Sequence, residues 1–141
     1  SVDEWCFYEL WILGYCARSL NTKLLELLSS ELLNRTQFFN GITENRKRVY
    51  KVLLNIVGHL LDRKEDRTAA RLINSLDSLD ILEADLYERL QLKFAKGHLN
   101  YLQGNIKGLE TMKKCQEMAN FLDCYDLSQQ IEDTFAQFTD M

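Results

Sequence analysis

Two histidines, His59 and His98, and four cysteines are the residues of this chain best able to bind a metal or act as a nucleophile. The cysteines are Cys6, Cys16, Cys115 and Cys124. None of them forms a pair at the close spacing of zinc ligands, and Cys6 and Cys16 lie too far apart on one predicted helix to bridge each other. We therefore expect free thiols in a reducing cytoplasm, no metal site and no cofactor.

The sequence contains no recognisable catalytic motif. It has neither a glycine-rich phosphate loop after a strand nor a nucleophile elbow, and its carboxylates are scattered along the chain. Cys16 and His59 could be neighbours in space, but their spacing does not show this. These patterns favour a protein that is not an enzyme.

A second set of residues, aromatic, amide and basic, suits the binding of an extended peptide. Aromatic rings accept apolar side chains, and amide groups satisfy a peptide's backbone N–H and C=O groups. Asn55 interrupts an apolar helical pattern, so it either caps a neighbouring backbone group or faces a groove. Core packing of the aromatics and histidines, and a solvated helix end at residues 46–48, remain the alternatives. The residues expected to bind ligand are Trp11, Tyr15, Arg18, Arg48, Asn55, His59, Gln91, Phe94, His98 and Tyr101.

Helices must position these residues, because the chain has no proline and no strand pattern. Asn21 is a plausible N-cap, and Gly104-Asn105 predicts a turn. In the sixth predicted helix, the apolar residues at helical spacing are Ile106, Leu109, Met112 and Met118. The stripe Leu127, Ile131, Phe135 and Phe138 must cover other helices or pair with a second chain. Apolar periodicity predicts helices over about residues 2–19, 21–36, 44–62, 66–79, 83–102, 105–121 and 125–138.

A weak repeat relates these helices. Gly14, Gly58 and Gly97 each lie inside the first helix of a pair, and residues 97–104 match part of a tetratricopeptide (TPR) unit, which needs a small residue where paired helices touch. The fold predicted is all-α, a TPR-like right-handed solenoid of about seven helices in antiparallel pairs, whose first helices line a concave face. The expected ligand-binding residues lie on those first helices.

Composition limits the kinds of partner. The chain has 141 residues, 46% of them hydrophobic, and a formal net charge of −4, which argues against DNA or an acidic membrane as a partner of this part. No apolar run is long enough for a transmembrane helix, and the first residues do not form a signal peptide. Because the chain lacks an initial Met and starts almost inside a helical pattern, we expect a C-terminal fragment forming one domain, residues 1–141.

Three segments resemble a known family. Glu4-Trp5, Tyr8-Glu9-Leu10 and Leu13-Gly14 are similar to the E-W-x-x-Y-E-L-x-x-x-G-N segment of the Rgg/GadR/MutR transcriptional regulators of Gram-positive bacteria. Residues 52–56 resemble the family's LLN helix, and residues 94–112 resemble its F-x-x-G-x-x-x-Y-x-x-G and G-x-x-x-M segments. Tyr15 stands where the family often has Asn.

The resemblance implies a regulatory function. Members of this family have an N-terminal helix-turn-helix domain and a C-terminal TPR-like domain, and several bind short hydrophobic pheromone peptides as homodimers. They act in quorum sensing, bacteriocin or virulence control. The chain would then be a cytoplasmic peptide-sensing and dimerisation domain, with DNA bound only by the absent upstream part. Asn55 matches the inner-helix asparagines that hold the peptide backbone in related receptors. The alternative is a TPR-like module that docks a protein and senses no small ligand.

Overall fold

The computed structural model describes residues 14–38, 43–79 and 81–139. Within these ranges there is no strand, residues 14–16 are helical, and a 3-10 turn covers Ala17–Ser19. The α-helices are α1 (Thr22–Phe38), α2 (Thr43–Asp62), α3 (Asp66–Asp77), α4 (Leu86–Leu102), α5 (Lys107–Phe121) and α6 (Tyr125–Thr139). Most of the first predicted helix lies outside the described residues. The all-α prediction is confirmed.

The chain divides into two compact units, Ser1–Asp80 and Ile81–Met141. In the first unit α2 packs against α1 and α3, and in the second α5 packs against α4 and α6. Successive helices joined by short turns therefore form packed pairs, as the TPR-like prediction requires. The single domain over residues 1–141 remains a prediction.

Local chemistry explains where the helices of the first unit begin and end. The Asn21 Oδ1 accepts a hydrogen bond of 2.9 Å from the backbone N–H of Leu24, so Asn21 is the predicted N-cap of α1. After α2 the chain turns at Lys64, which adopts a positive φ of 60°. The inward faces of these helices form the core of the unit, whose fully buried side chains include Leu25, Leu53, Ile56, Val57, Leu60 and Leu76.

Arg63, in the turn after α2, ties the 3-10 turn to the end of that helix. Its guanidinium donates to the carbonyl oxygens of Leu20 at 2.9 Å and Arg18 at 3.1 Å, and more weakly to that of Ala17 at 3.5 Å. The carbonyls of Arg18 and Leu20 lie at the end of the 3-10 turn, where backbone acceptors lack intrahelical partners, whereas that of Ala17 also accepts the N–H of Leu20 at 3.3 Å. One planar side chain therefore satisfies the end of one element and joins it to another.

The second unit places α4 and α5 in close contact through two glycines. A Cβ on Gly97 would lie 2.9 Å from the carbonyl oxygen of Gly108, and one on Gly108 would lie 2.6 Å from the backbone nitrogen of Tyr101. The predicted small contact residue is therefore confirmed at Gly97. Gly104, with φ of 90°, makes the predicted turn between the two helices.

The glycines of the first unit do not have this role. A Cβ on Gly58 would meet nothing within 4 Å, and one on Gly14 would make only an ordinary contact of 3.9 Å with Val52. The prediction that the repeat glycine marks a close contact between helices is therefore wrong at Gly58. A similar position in the repeat does not ensure equal helix–helix distance, which depends on the side chains that surround each glycine.

The last helix covers the other two helices of its unit. Leu127 and Ile131 on α6 join Leu90, Phe94, Met112, Cys115 and Ala119 in one buried cluster, with Phe135 and Phe138 packed against it. The α6 stripe thus packs within the chain, which is one of the two alternatives for it. On α5 the predicted stripe is only partly inward, because Met112 is fully buried whereas Ile106 and Met118 are exposed. None of the helices described is both long and apolar enough to span a membrane.

Candidate functional site

The expected ligand-binding residues fall into two groups with different surroundings. In the first unit Tyr15, Arg18, Arg48 and Asn55 are exposed and His59 is half-buried. In the second unit Phe94 and His98 are buried, and Gln91 and Tyr101 are half-buried. Trp11 lies outside the described residues. The solvent-facing candidates are therefore concentrated in the first unit.

Three residues of the first group, Arg48, Asn55 and His59, lie along one side of α2. Arg48, Val52, Asn55 and His59 recur at i, i+4, i+7 and i+11, so they share a helix face. We call these four residues the α2 face. Its two half-buried members, Val52 and His59, alternate with the two exposed ones. The α2 face is therefore a partly apolar surface from which the Asn55 amide and the Arg48 guanidinium extend into solvent.

The segment 14–18 runs beside the α2 face. A Cβ on Gly14 would touch Val52 Cγ2, which places the start of this segment next to the middle of the face. At the other end the backbone N–H of Arg63 donates to the carbonyl of His59 at 3.1 Å, and its guanidinium reaches the carbonyl of Arg18. Tyr15, which is 76% exposed, and Arg18 therefore flank the face.

The His59 end of the α2 face is electropositive. Burial lowers the pKa of His59, nearby Asp62 acts to raise it, and Arg63 and Arg18 lower it further. The imidazole is therefore neutral at pH 7 and can donate one hydrogen bond and accept another. Arg18 is exposed and forms no ion pair among the described residues.

The second group forms part of an aromatic core. The His98 ring, only 3% exposed, stacks on Phe94 with ring centroids 6.1 Å apart and meets the edge of Phe138 at 5.6 Å. Tyr101 stacks on Phe138 at 4.3 Å. Burial lowers the pKa of His98 to about 4, so it is uncharged at neutral pH. Phe94 and His98 thus lie under α6 rather than on an open surface, and their ligand contacts remain predictions.

Gln91 differs from its neighbours on α4. Its Oε1 is shielded from solvent and accepts no hydrogen bond from the residues that the structure describes. Buried carbonyl groups usually have a donor, and this one has none within the described residues. Sequence reasoning selected Gln91 for its position in the repeat, and its role as a ligand contact remains a prediction.

Metal binding and thiol chemistry find little support in the described part of the chain. No group of three or more His, Cys, Asp or Glu side chains could hold a metal ion there. Cys16, Cys115 and Cys124 are free thiols, and burial raises the pKa of Cys115, which disfavours its reactive thiolate form. Cys6 lies outside the described residues.

Sequence reasoning missed an exposed apolar surface in the second unit. Phe121 is 84% exposed, and Tyr125, Met118 and Leu122 are also largely exposed. Met118, Phe121 and Leu122 lie at i, i+3 and i+4 at the end of α5, and Tyr125 is the first residue of α6. We call these four residues the α5–α6 surface. The adjacent pair Phe121-Leu122 was a usable signal, because both side chains cannot point into one core from the end of a helix.

Comparison with known families gives the class of protein. The family described as HTH-type transcriptional regulator Rgg, C-terminal domain, matches residues 1–133. This chain belongs to the Rgg family. The resemblance in the three motif segments is thereby confirmed, and the chain is a regulatory domain of an Rgg transcriptional regulator. The match extends from residue 1 into α6, so it includes the α2 face, the aromatic core and the α5–α6 surface.

Proposed function

We propose that this Rgg domain binds a short hydrophobic peptide on the α2 face and relays that binding to the DNA-binding part of the regulator. The observation that carries the proposal is the placement of exposed Asn55 between half-buried Val52 and His59, with Tyr15 and Arg18 alongside. A partly apolar surface with directed polar groups suits a peptide whose side chains are hydrophobic and whose backbone is polar.

Each part of this surface has a distinct task. The Asn55 amide donates to a peptide carbonyl and accepts from a peptide N–H, which fixes the register of the backbone. Val52 and the Tyr15 ring contact apolar side chains. Bound peptide changes the function of the regulator only if it prefers one arrangement of the protein, so binding must stabilise that arrangement over others. The domain acts by binding and has no catalytic task, in the cytoplasm where DNA is read.

The test is peptide binding measured by fluorescence anisotropy. The probe is a set of fluorescein-labelled heptapeptides rich in Leu, Ile, Val, Phe and Trp. The Asn55→Ala variant should bind the best peptide about tenfold or more weakly, because losing a backbone-directed amide leaves peptide groups unpaired. Asn74→Ala is the matched control, since Asn74 is an exposed asparagine on α3, and its affinity should equal that of the wild type.

Two results would change the proposal. Equal affinity in the Asn55→Ala and Asn74→Ala variants would remove the peptide site from the α2 face. Failure of the folded protein to bind any heptapeptide would favour the alternative, a TPR-like module that docks a protein partner.

The same domain is proposed to form a homodimer through the α5–α6 surface. Helix-turn-helix regulators read two half-sites as dimers, so a second copy is the expected partner for an apolar surface on the regulatory part. The stripe on α6 is buried within the chain, whereas the side chains of the α5–α6 surface are exposed. A contact between two copies would remove these large apolar side chains from water.

A further inference from the structure

We infer that the His59 end of the α2 face is a carboxylate site for the free C-terminus of the bound peptide, formed by the Arg18 guanidinium and the His59 imidazole. The inference rests on the proposed function and deepens it, because it assigns a direction to the peptide and an ionic requirement to its end. The group recognised is a peptide carboxylate.

Arg63 holds the backbone of residue 18 near the C-terminal end of α2, and the charge of Arg18 is near enough to lower the pKa of His59. The Arg63 backbone N–H binds the carbonyl of His59, and its guanidinium binds the carbonyl of Arg18. The segment that carries Arg18 is thus fixed beside the last turn of α2, which carries His59, although the two residues lie far apart along the chain. The Arg63 guanidinium already donates to the carbonyls of residues 17, 18 and 20. Arg18, exposed and without an ion pair among the described residues, is the guanidinium offered to a ligand.

The charges at this end favour one carboxylate. Arg18 and Arg63 are cationic and Asp62 is anionic, whereas His59 is neutral at pH 7, so the group carries one net positive charge. A guanidinium binds a carboxylate through two parallel hydrogen bonds, and a neutral imidazole N–H adds a third. Asp62 beside His59 disfavours a second negative charge, which selects against an acidic peptide.

Direction and length follow from the same arrangement. With the carboxylate at His59, the peptide backbone passes Asn55 and runs toward Arg48. Eleven residues of α-helix separate Arg48 from His59, which is roughly 16 Å. An extended peptide covers about 3.3 Å per residue, so this face accommodates about five residues.

The experiment compares free-acid and C-terminally amidated forms of the same labelled heptapeptides. In the wild type the amide should bind about tenfold more weakly than the acid. Arg18→Gln should bind the acid about as weakly as the wild type binds the amide, and should bind both forms equally. Arg67→Gln, at an exposed arginine on α3, should retain the wild-type preference for the acid.

Each outcome separates the two proposals. Binding of acid and amide with equal affinity by the wild type would overturn the carboxylate site and leave the peptide function standing. Equal weakening of both forms by Arg18→Gln would make Arg18 a structural residue and would also overturn it. A peptide bound through an Asp or Glu side chain would be indifferent to amidation. Binding of neither form by the wild type would overturn the proposed function itself.

Discussion

At the scale of single residues, His98 shows how burial sets the charge of a side chain. The ring lies between Phe94 and Phe138, and burial lowers its pKa from 6.5 to about 4. In the unfolded chain the same imidazole titrates near 6.5. As the pH falls below 6.5 the unfolded state therefore binds a proton before the folded state does, and the folded state is destabilised.

We predict that the stability contributed by neutral His98 is fully present above pH 6.5 and is lost as the pH falls to about 4. The difference between the pKa values of His98 in the unfolded and folded states corresponds to roughly 3 kcal/mol of unfolding free energy. Denaturant unfolding followed by circular dichroism between pH 7 and pH 4 measures it. The His98→Phe variant should lose much less stability over this range, whereas His59→Gln should retain most of the loss. Titration of the His98 ring near pH 6.5 in NMR spectra would contradict the prediction.

At the scale of helices, glycines with the same apparent position in the repeat have opposite effects on packing. Gly97 and Gly108 let α4 and α5 approach until backbone meets backbone, whereas Gly58 on α2 has open space where a side chain would be. Glycine inside a helix is less favourable than alanine by about 1 kcal/mol, because its unfolded backbone has more freedom. The sign of a Gly-to-Ala substitution is therefore decided by the neighbouring helix.

We predict that Gly58→Ala stabilises the protein by about 0.5–1 kcal/mol. Gly108→Ala should destabilise it by at least about 2 kcal/mol, since its Cβ would meet the backbone of Gly97 and Tyr101 and force the helices apart. Thermal and urea unfolding of the two variants beside the wild type measures both effects. A stabilising Gly108→Ala would show that α4 and α5 are not held at this distance in solution.

At the scale of the whole molecule, the α5–α6 surface is the expected contact between two copies. We predict that Phe121→Ser, which replaces its most exposed side chain, raises the dimer dissociation constant at least tenfold. Size-exclusion chromatography with light scattering over a concentration series measures the dimer fraction. Leu27→Ser is the matched control, because Leu27 is 60% exposed on α1 and should leave the dimer unchanged. A monomeric wild type, or equal effects of the two substitutions, would contradict this interface.

Much of the helical architecture was predictable because its signals are local. Apolar residues at three- and four-residue spacing, the Asn21 cap and the Gly104 turn act over a few neighbouring residues, and the structure has each of them. Differences arise at helix starts. The helix predicted from residue 83 begins at Leu86, because the Arg89 guanidinium binds the carbonyls of Ile81 and Leu82 and holds the residues before it in a turn.

The sequence predicted a set of candidate site residues, but it did not predict which of them share an exposed surface. Phe94 and Asn55 both lie on the first helix of a pair. Helical spacing alone does not distinguish residues that line a groove from residues that are buried in a core. Phe94 became a core residue because Leu127 and Ile131, far along the chain, join its cluster, and His98 is covered by Phe138. Asn55 and Arg18 stayed exposed.

The helices, several of their caps and turns, and the family were predictable from the sequence, because each depends on residue types at short spacing. The folded chain was needed to show which faces are buried, which glycines touch a neighbour, and that Arg63 holds residue 18 beside the end of α2. These depend on contacts between residues that are distant in sequence, and periodicity within one helix does not specify which other helix will cover it.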